Sequence, residues 1–165
     1  MKKITNTLLV LSITALLLGG CSQENTTTEK SFDSESEAIK AAMKDDSEIS
    51  RIIGESPYVN KERIVVYLYK SEGDEGIGTA TLTHKGKSIT WTKNGPEVMV
   101  KYQQNYDVEV HGVVKSASGK KYDLYAGVAH RPHQTIDTQM KHDVKPKVDK
   151  KSKIYYYLVP ITKYR

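Results

Sequence analysis

Apolar positions first recur with a period that fits a helix. Ser34-Glu35-Ser36-Glu37 puts a cap residue three positions before a glutamate, and Ala38, Ile39, Ala42 and Met43 follow on one face. A second polar group, Asp45-Asp46-Ser47-Glu48, precedes Ile49, Ile52 and Ile53, and Gly54 and Pro57 close the run. The pattern predicts either one bent helix or two short ones. From Arg63 the residues turn β-branched and aromatic. "RIVVYLYK" reads as a buried or half-buried strand, and "GIGTATLTH" and "KSITWTK" as a hairpin joined at Lys85-Gly86 and closed by Asn94-Gly95-Pro96.

A second strand-rich stretch holds "EVMVKY", "YDVEVHGVVK" and "KYDLYAGVAH", the last two divided by Ser118-Gly119, and "KIYYYLVPI" follows near the carboxy terminus. Before it lies the polar stretch "RPHQTIDTQMKHDVKPKVDKKS", with weak strand signals only around Thr135 to Met140. Loops of this length in compact domains are often functional. The expected fold class is α+β: an N-terminal helix or two short helices, then mostly antiparallel sheet. Residues 32–165 form the globular part, divisible at 32–96 and 97–165, and the second half suggests a small β-sandwich.

Ahead of the domain stands a different pattern. Lys2 and Lys3 precede an apolar run from Leu8 to Leu18, and Gly19-Gly20 lead into Cys21, the only cysteine. A basic start, an apolar run too short to span a bilayer and small residues before the cut make a signal peptide over residues 1–20. Leu18-Gly19-Gly20-Cys21 resembles the lipobox of bacterial lipoproteins. That resemblance implies cleavage before Cys21 and acyl chains on its sulfur and new amino group. Each buried methylene contributes about 0.8 kcal/mol, so two or three chains hold a protein on a bilayer. Residues 21–31, with no large apolar side chain, read as a flexible tether. With its sulfur acylated, Cys21 offers neither a disulfide nor a thiol nucleophile. The order of tether, capped helix and strands is similar to that of small lipoproteins of Gram-positive bacteria, which implies the extracytoplasmic side of the cell membrane.

Charge sharpens this picture. Residues 21–62 carry 10 acids and 5 bases, whereas residues 63–165 carry 10 acids and 18 bases. Outside the cytoplasm a basic half meets an anionic envelope polymer or lipid headgroups, not nucleic acid. The same excess also suits a plain solvated surface. Walker, GxGxxG, G-x-S-x-G and H-E-x-x-H motifs are absent from the sequence, so nothing in it asks for a cofactor or names a reaction.

Four groups of residues carry candidate chemistry. His130, His133 and His142, with Asp137 or Asp143, have the donor types of a Zn²⁺ or Cu²⁺ site, although Pro132 prevents helical presentation and exposed loop histidines are the plainer account. Eleven tyrosines stand against one phenylalanine and one tryptophan. Alternation along a strand turns part of Tyr155, Tyr156 and Tyr157 outward, as a platform for a glycan or protein partner or simply as good strand formers. Lys150 and Lys151, in a run with Lys145, Lys147 and Lys153, offer contacts to headgroups or wall polymer. Asp107, Glu109 and His111 share a strand face: a concave pocket around them would favour an enzyme, a flat face a binding module. Glu72, Asp74 and Glu75 in "SEGDEG" read as an acidic hairpin tip, not a calcium loop.

The sequence therefore predicts a membrane-anchored, non-enzymatic binding lipoprotein with an unidentified protein or polymer partner. A metal-handling lipoprotein and a small wall-acting enzyme or enzyme inhibitor stand as alternatives.

Overall fold

The computed structural model describes residues 30–161 except Asn105; Cys21, the signal segment and nearly all of the tether lie outside them. The capping sequence does what its chemistry requires. Ser34 caps helix α1 (Glu35–Asp45), its hydroxyl accepting from the Glu37 amide at 3.2 Å, while the Glu37 carboxylate accepts from the Asp33 amide at 3.2 Å. Glu35 and Glu37 lie in the first turn and Lys44 in the last, signs that suit the helix dipole.

The isoleucines that followed as a second helical run instead form a strand, β2 (Ile49–Glu55), antiparallel to β3 (Glu62–Ser71). The register slips between Ile49 and Arg51 and again between Ile52 and Gly54. Each irregularity shifts the side-chain phase by one, so Ile49 and Ile52, three apart, both pack on the helix side, while Ile53 joins the opposite core. A bulged strand thereby imitates helical spacing.

Strand β1 (Ser31–Phe32) pairs with β5 (Ser88–Lys93), which pairs with β4 (Asp74–Lys85). The order β1-β5-β4-β3-β2, with β6 (Val98–Lys101) also beside β4, makes a six-stranded sheet. Ser71 pairs with Asp74 across Glu72-Gly73, whose φ values of 50° and 87° are those of a type I′ turn. In the next hairpin Lys85 pairs with Ser88, so the loop is Gly86-Lys87, one residue beyond its expected position. A four-stranded sheet follows in the order β7-β8-β10-β9: β7 (Val110–Lys115), β8 (Lys121–Val128), β9 (Lys147–Val148) and β10 (Ile154–Pro160). All pairings are antiparallel.

Strand β3 explains the layering, because it is apolar on both faces. Val65 and Tyr67 face α1 with Ala38, Leu82 and Ile89, whereas Val66 and Leu68 meet Leu124, Ala126, Ile154 and Tyr156 of the four-stranded sheet. The result is helix on sheet on sheet. The sandwich is formed between the two halves of the chain and not within residues 97–165, since β6 joins the first sheet and its Val100 lies in the shared core. No helix among the described residues is long and apolar enough to cross a membrane.

Polar ties lock the layers. Glu62, 4% exposed, accepts from the Ser116 and Ser118 hydroxyls at 2.9 and 2.6 Å, and Lys120 lies 3.5 Å away. Burial alone pushes this carboxyl up, but the two serine bonds and Lys120 overcome it and hold Glu62 below its ordinary value. On the opposite side Arg51 of β2 pairs with Asp149 of the turn after β9. The expected weak strands around Thr135 to Met140 reduce to one bridge, Ile136 with Val144.

Candidate functional site

The four-stranded sheet buries one face against the sandwich core and turns the other outward. Strict alternation assigns the side chains: Leu124, Ala126, Val128, Ile154 and Tyr156 go inward, while Asp123, Tyr125, Tyr155 and Tyr157 go outward. Tyr156 is therefore a core residue, 3% exposed, and is removed from the partner surface expected of it. Its ring lies against Gly54, and burial, followed by the charge of Glu55, pushes its hydroxyl up to about 12.

On the outer face His111, Tyr125 and Tyr157 are paired across three strands. The His111 and Tyr125 rings stack with centroids 4.2 Å apart and planes 9° from parallel, and Tyr157 lies tilted 6.4 Å from Tyr125. Asp123 Oδ1 is 3.3 Å from His111 Nε2 and holds the imidazole at the edge of the sheet. The long polar loop folds over part of this face, where the Gln139 amide donates to the Tyr125 hydroxyl at 3.1 Å.

Between loop and sheet is a cleft of about 400 Å³ whose polar lining is Glu109, His111, Tyr125, Thr135, Asp137 and Tyr155, with Val110 and Ile136 as apolar walls. That size falls within the range of small-ligand sites, about 300–1,000 Å³. Tyr155, 2% exposed, belongs to it as a buried wall and not as an exposed platform. It fits because its cross-strand partner is Gly127: a Cβ there would stand 2.7 Å from the Tyr155 hydroxyl oxygen. The hydroxyl donates to Glu109 Oε1 at 2.9 Å, and burial, then that bond and the nearby negative charge, raise it well above the usual tyrosine range. On the loop side Asp137 Oδ1 accepts from the Asp143 amide at 3.0 Å, with His142 Nδ1 3.4 Å from Oδ2; these contacts hold Asp137 below the ordinary carboxylate range.

The three candidate metal-binding histidines do not converge. His130 sits 3.4 Å from Asp107, His142 beside Asp137, and His133 is exposed on a residue with φ 60°. Among the described residues no group of three or more His, Cys, Asp or Glu side chains is placed to hold a metal ion. Lys150 and Lys151 are exposed in the turn between β9 and β10 and do not line the cleft. Glu72 is at a hairpin tip, where Asp74 accepts from the Gln103 amide at 3.1 Å and Glu75 is paired with Lys70 and Lys101. Cys21, the expected lipidation site, lies outside the described residues.

Asp107, Glu109 and His111 thus separate: Glu109 and His111 reach the cleft, and Asp107 pairs with His130. Asp123 and Gly127 were missed by sequence reading, whereas Tyr125 was among the strand tyrosines that alternation can turn outward. The signal lay in "YDLYAGV", where Asp123, Tyr125 and Gly127 alternate, but which residues oppose them depends on strand pairing.

The arrangement is a cleft on the outer face of a mostly antiparallel β domain, backed among the described residues by one short helix. No protein-family model, curated protein or solved structure matches the chain.

Proposed function

We propose that the protein is a lipoprotein, anchored through Cys21 on the extracytoplasmic side of the cell membrane, that binds a saccharide-bearing envelope component in this cleft without turning it over. The observation that carries the binding reading is the cleft itself: aromatic rings, a buried tyrosine wall and carboxylates fixed by hydrogen bonds to Tyr155 and to the Asp143 amide. Aromatic faces pack on the C–H faces of sugar rings, and fixed acceptors take their hydroxyls. The anchor is supported by the lipobox resemblance alone.

His111 beside two carboxylates in a concave site favours a second reading, a hydrolase acting on wall glycan. Chemistry weighs against it. A general acid needs a carboxyl raised toward neutrality, whereas Asp137 is held ionised, and both Asp137 and Glu109 are exposed to water.

Two measurements test the proposal. Cys21→Ala should move the protein from the membrane fraction to the soluble fraction of cells, and unchanged fractionation with an intact signal segment would refute the anchor. The full-length protein in detergent should bind soluble wall-type oligosaccharides without shortening them. Chain cleavage abolished by Glu109→Gln would establish the hydrolase instead.

A further inference from the structure

Folding sorts the charges of this chain to opposite ends of the strands. At the β3–β4 tip, where Ser71 pairs with Asp74, stand Glu72, Asp74 and Glu75, and Glu48 joins them through its carbonyl, which accepts from the Lys70 amide at 3.0 Å. Asp45 and Asp46 lie just before Glu48, at the end of α1.

The other end is basic. Lys61 leads into β3, and its carbonyl accepts from the His84 amide at 2.9 Å, which sets it against the β4–β5 hairpin with Lys85 and Lys87. The β7–β8 turn reaches the same place, because Lys120 Nζ donates to the Val59 carbonyl at 2.7 Å. That turn brings Lys115 and Lys121, which pair across its base. Three segments far apart in sequence deliver lysines to one end. The acids there have other partners: Glu62 is bonded to Ser116, Ser118 and Lys120, and Glu35 and Glu55 pair with Arg63. Among the described residues none of these acids pairs with Lys61, Lys87, Lys115 or Lys121, all of which are exposed.

Between Tyr58, Lys61, His84 and Gly86 the basic end is hollowed by about 410 Å³. Tyr58 is an exposed wall of this hollow, yet its ring is held, edge-on to His84 with centroids 5.3 Å apart and 4.1 Å from the Arg63 guanidinium. The hollow shares no residue with the cleft beside Tyr155.

We propose that this end is a second binding surface, which takes a linear anionic polymer running through the hollow with lysines on both sides. Ammonium groups on flexible stems act as point charges and follow a row of repeating anions. A concave surface suits a thread better than a plane, which selects a polymer over a bilayer. The entry of the chain agrees. Strand β1 runs toward the basic end, and Lys30 before it pairs with Asp45 at 2.6 Å, so an anchor ahead of β1 leaves the lysines facing away from the membrane. Only that orientation uses the anchor at Cys21; the surface does not depend on it. Lys150 and Lys151, the contacts expected from sequence, precede Ile154 and so lie at the opposite end of β10 from the β7–β8 turn.

The test is titration of the full-length protein, held in neutral phosphatidylcholine nanodiscs, with poly(glycerol phosphate) and with polygalacturonate. Binding of either names the repeating anion, and binding of neither overturns the inference. Lys61→Gln combined with Lys115→Gln should weaken binding at least about tenfold. Lys150→Gln combined with Lys151→Gln removes the same charge and should change it less than about twofold. Equal losses from the two pairs would mean that only net charge matters and would overturn the surface. Protein-free phosphatidylglycerol nanodiscs at matched total charge should bind at least about tenfold more weakly than the polymer; equal or tighter binding overturns the choice of partner. All four lysines are exposed, so matching melting curves are expected and separate lost binding from misfolding.

Discussion

Tyr67 and Tyr155 make the same local structure and meet different surroundings. Both lie over a cross-strand glycine and donate to a glutamate, at 2.8 and 2.9 Å. Around Tyr67 the unit is closed, with helix α1 covering the sheet and Lys93 neutralising Glu97. Burial alone would lower the Lys93 ammonium, yet its bonds to Glu97 and Asp46 hold it above the ordinary range. Around Tyr155 the cover is a polar loop and the glutamate lacks a cation, so the unit faces a cleft. The difference shows how one piece of packing closes on itself where its charge is balanced internally and borders an open cleft where it is not.

The largest effect that separates the two is steric. Gly78→Ala should destabilise the protein by about 1–3 kcal/mol, because the Tyr67 ring is fully buried and cannot yield, whereas Gly127→Ala should cost under about 1 kcal/mol as Tyr155 shifts into the cleft. Urea unfolding of the two variants measures this, and equal losses would break the comparison. Gly127→Ala should in addition abolish saccharide binding, because the displaced ring occupies the site.

An intermediate effect is expected from pH, through a buried carboxylate outside the cleft, whose own carboxylates are exposed. Glu62 is held below its ordinary value in the folded protein, so its contribution is present above the unfolded-state value near 4.5 and is lost as pH falls through the lowered folded value. Glu62→Gln should reduce stability at pH 7 by about 1–3 kcal/mol and flatten the acid limb of the stability curve. An unchanged acid limb in urea titrations from pH 7 to pH 3 would remove Glu62 from the account.

The smallest effect isolates the charges. Glu97→Gln leaves the Lys93 ammonium with Asp46 as its one remaining carboxylate partner and should cost about 1 kcal/mol, while Glu109→Gln should stay within about 0.5 kcal/mol because no lysine or arginine loses a partner. Thermal melts at matched pH give both values. A larger loss from Glu109→Gln would mean that the cleft carboxylate serves the fold and not a ligand.

Much of the architecture was readable locally. The capping box at Ser34, the β3–β4 hairpin tip and the strand that carries Tyr155 to Tyr157 depend on neighbours within a few residues, and the sequence carries those neighbours. Ile49, Ile52 and Ile53 misled because spacing three apart is shared by a helix face and a bulged strand, and only pairing with β3 separates the two. The candidate site was legible in pieces. Glu109 and His111 were visible as strand neighbours, and Tyr155 as one member of an alternating run.

What the sequence determined by itself is therefore the residue types of each strand face, because alternation is a property of contiguous chain; the proposed address at Cys21 likewise rests on contiguous sequence alone. The tertiary structure decided which faces meet. Register set Tyr155 over Gly127 and Tyr67 over Gly78, layering sent Tyr156 into the core, and the fold of the polar loop brought Asp137 into the same cleft as Glu109. These are contacts between residues distant along the chain. A one-residue slip in pairing would reverse every face, and no local pattern records that choice.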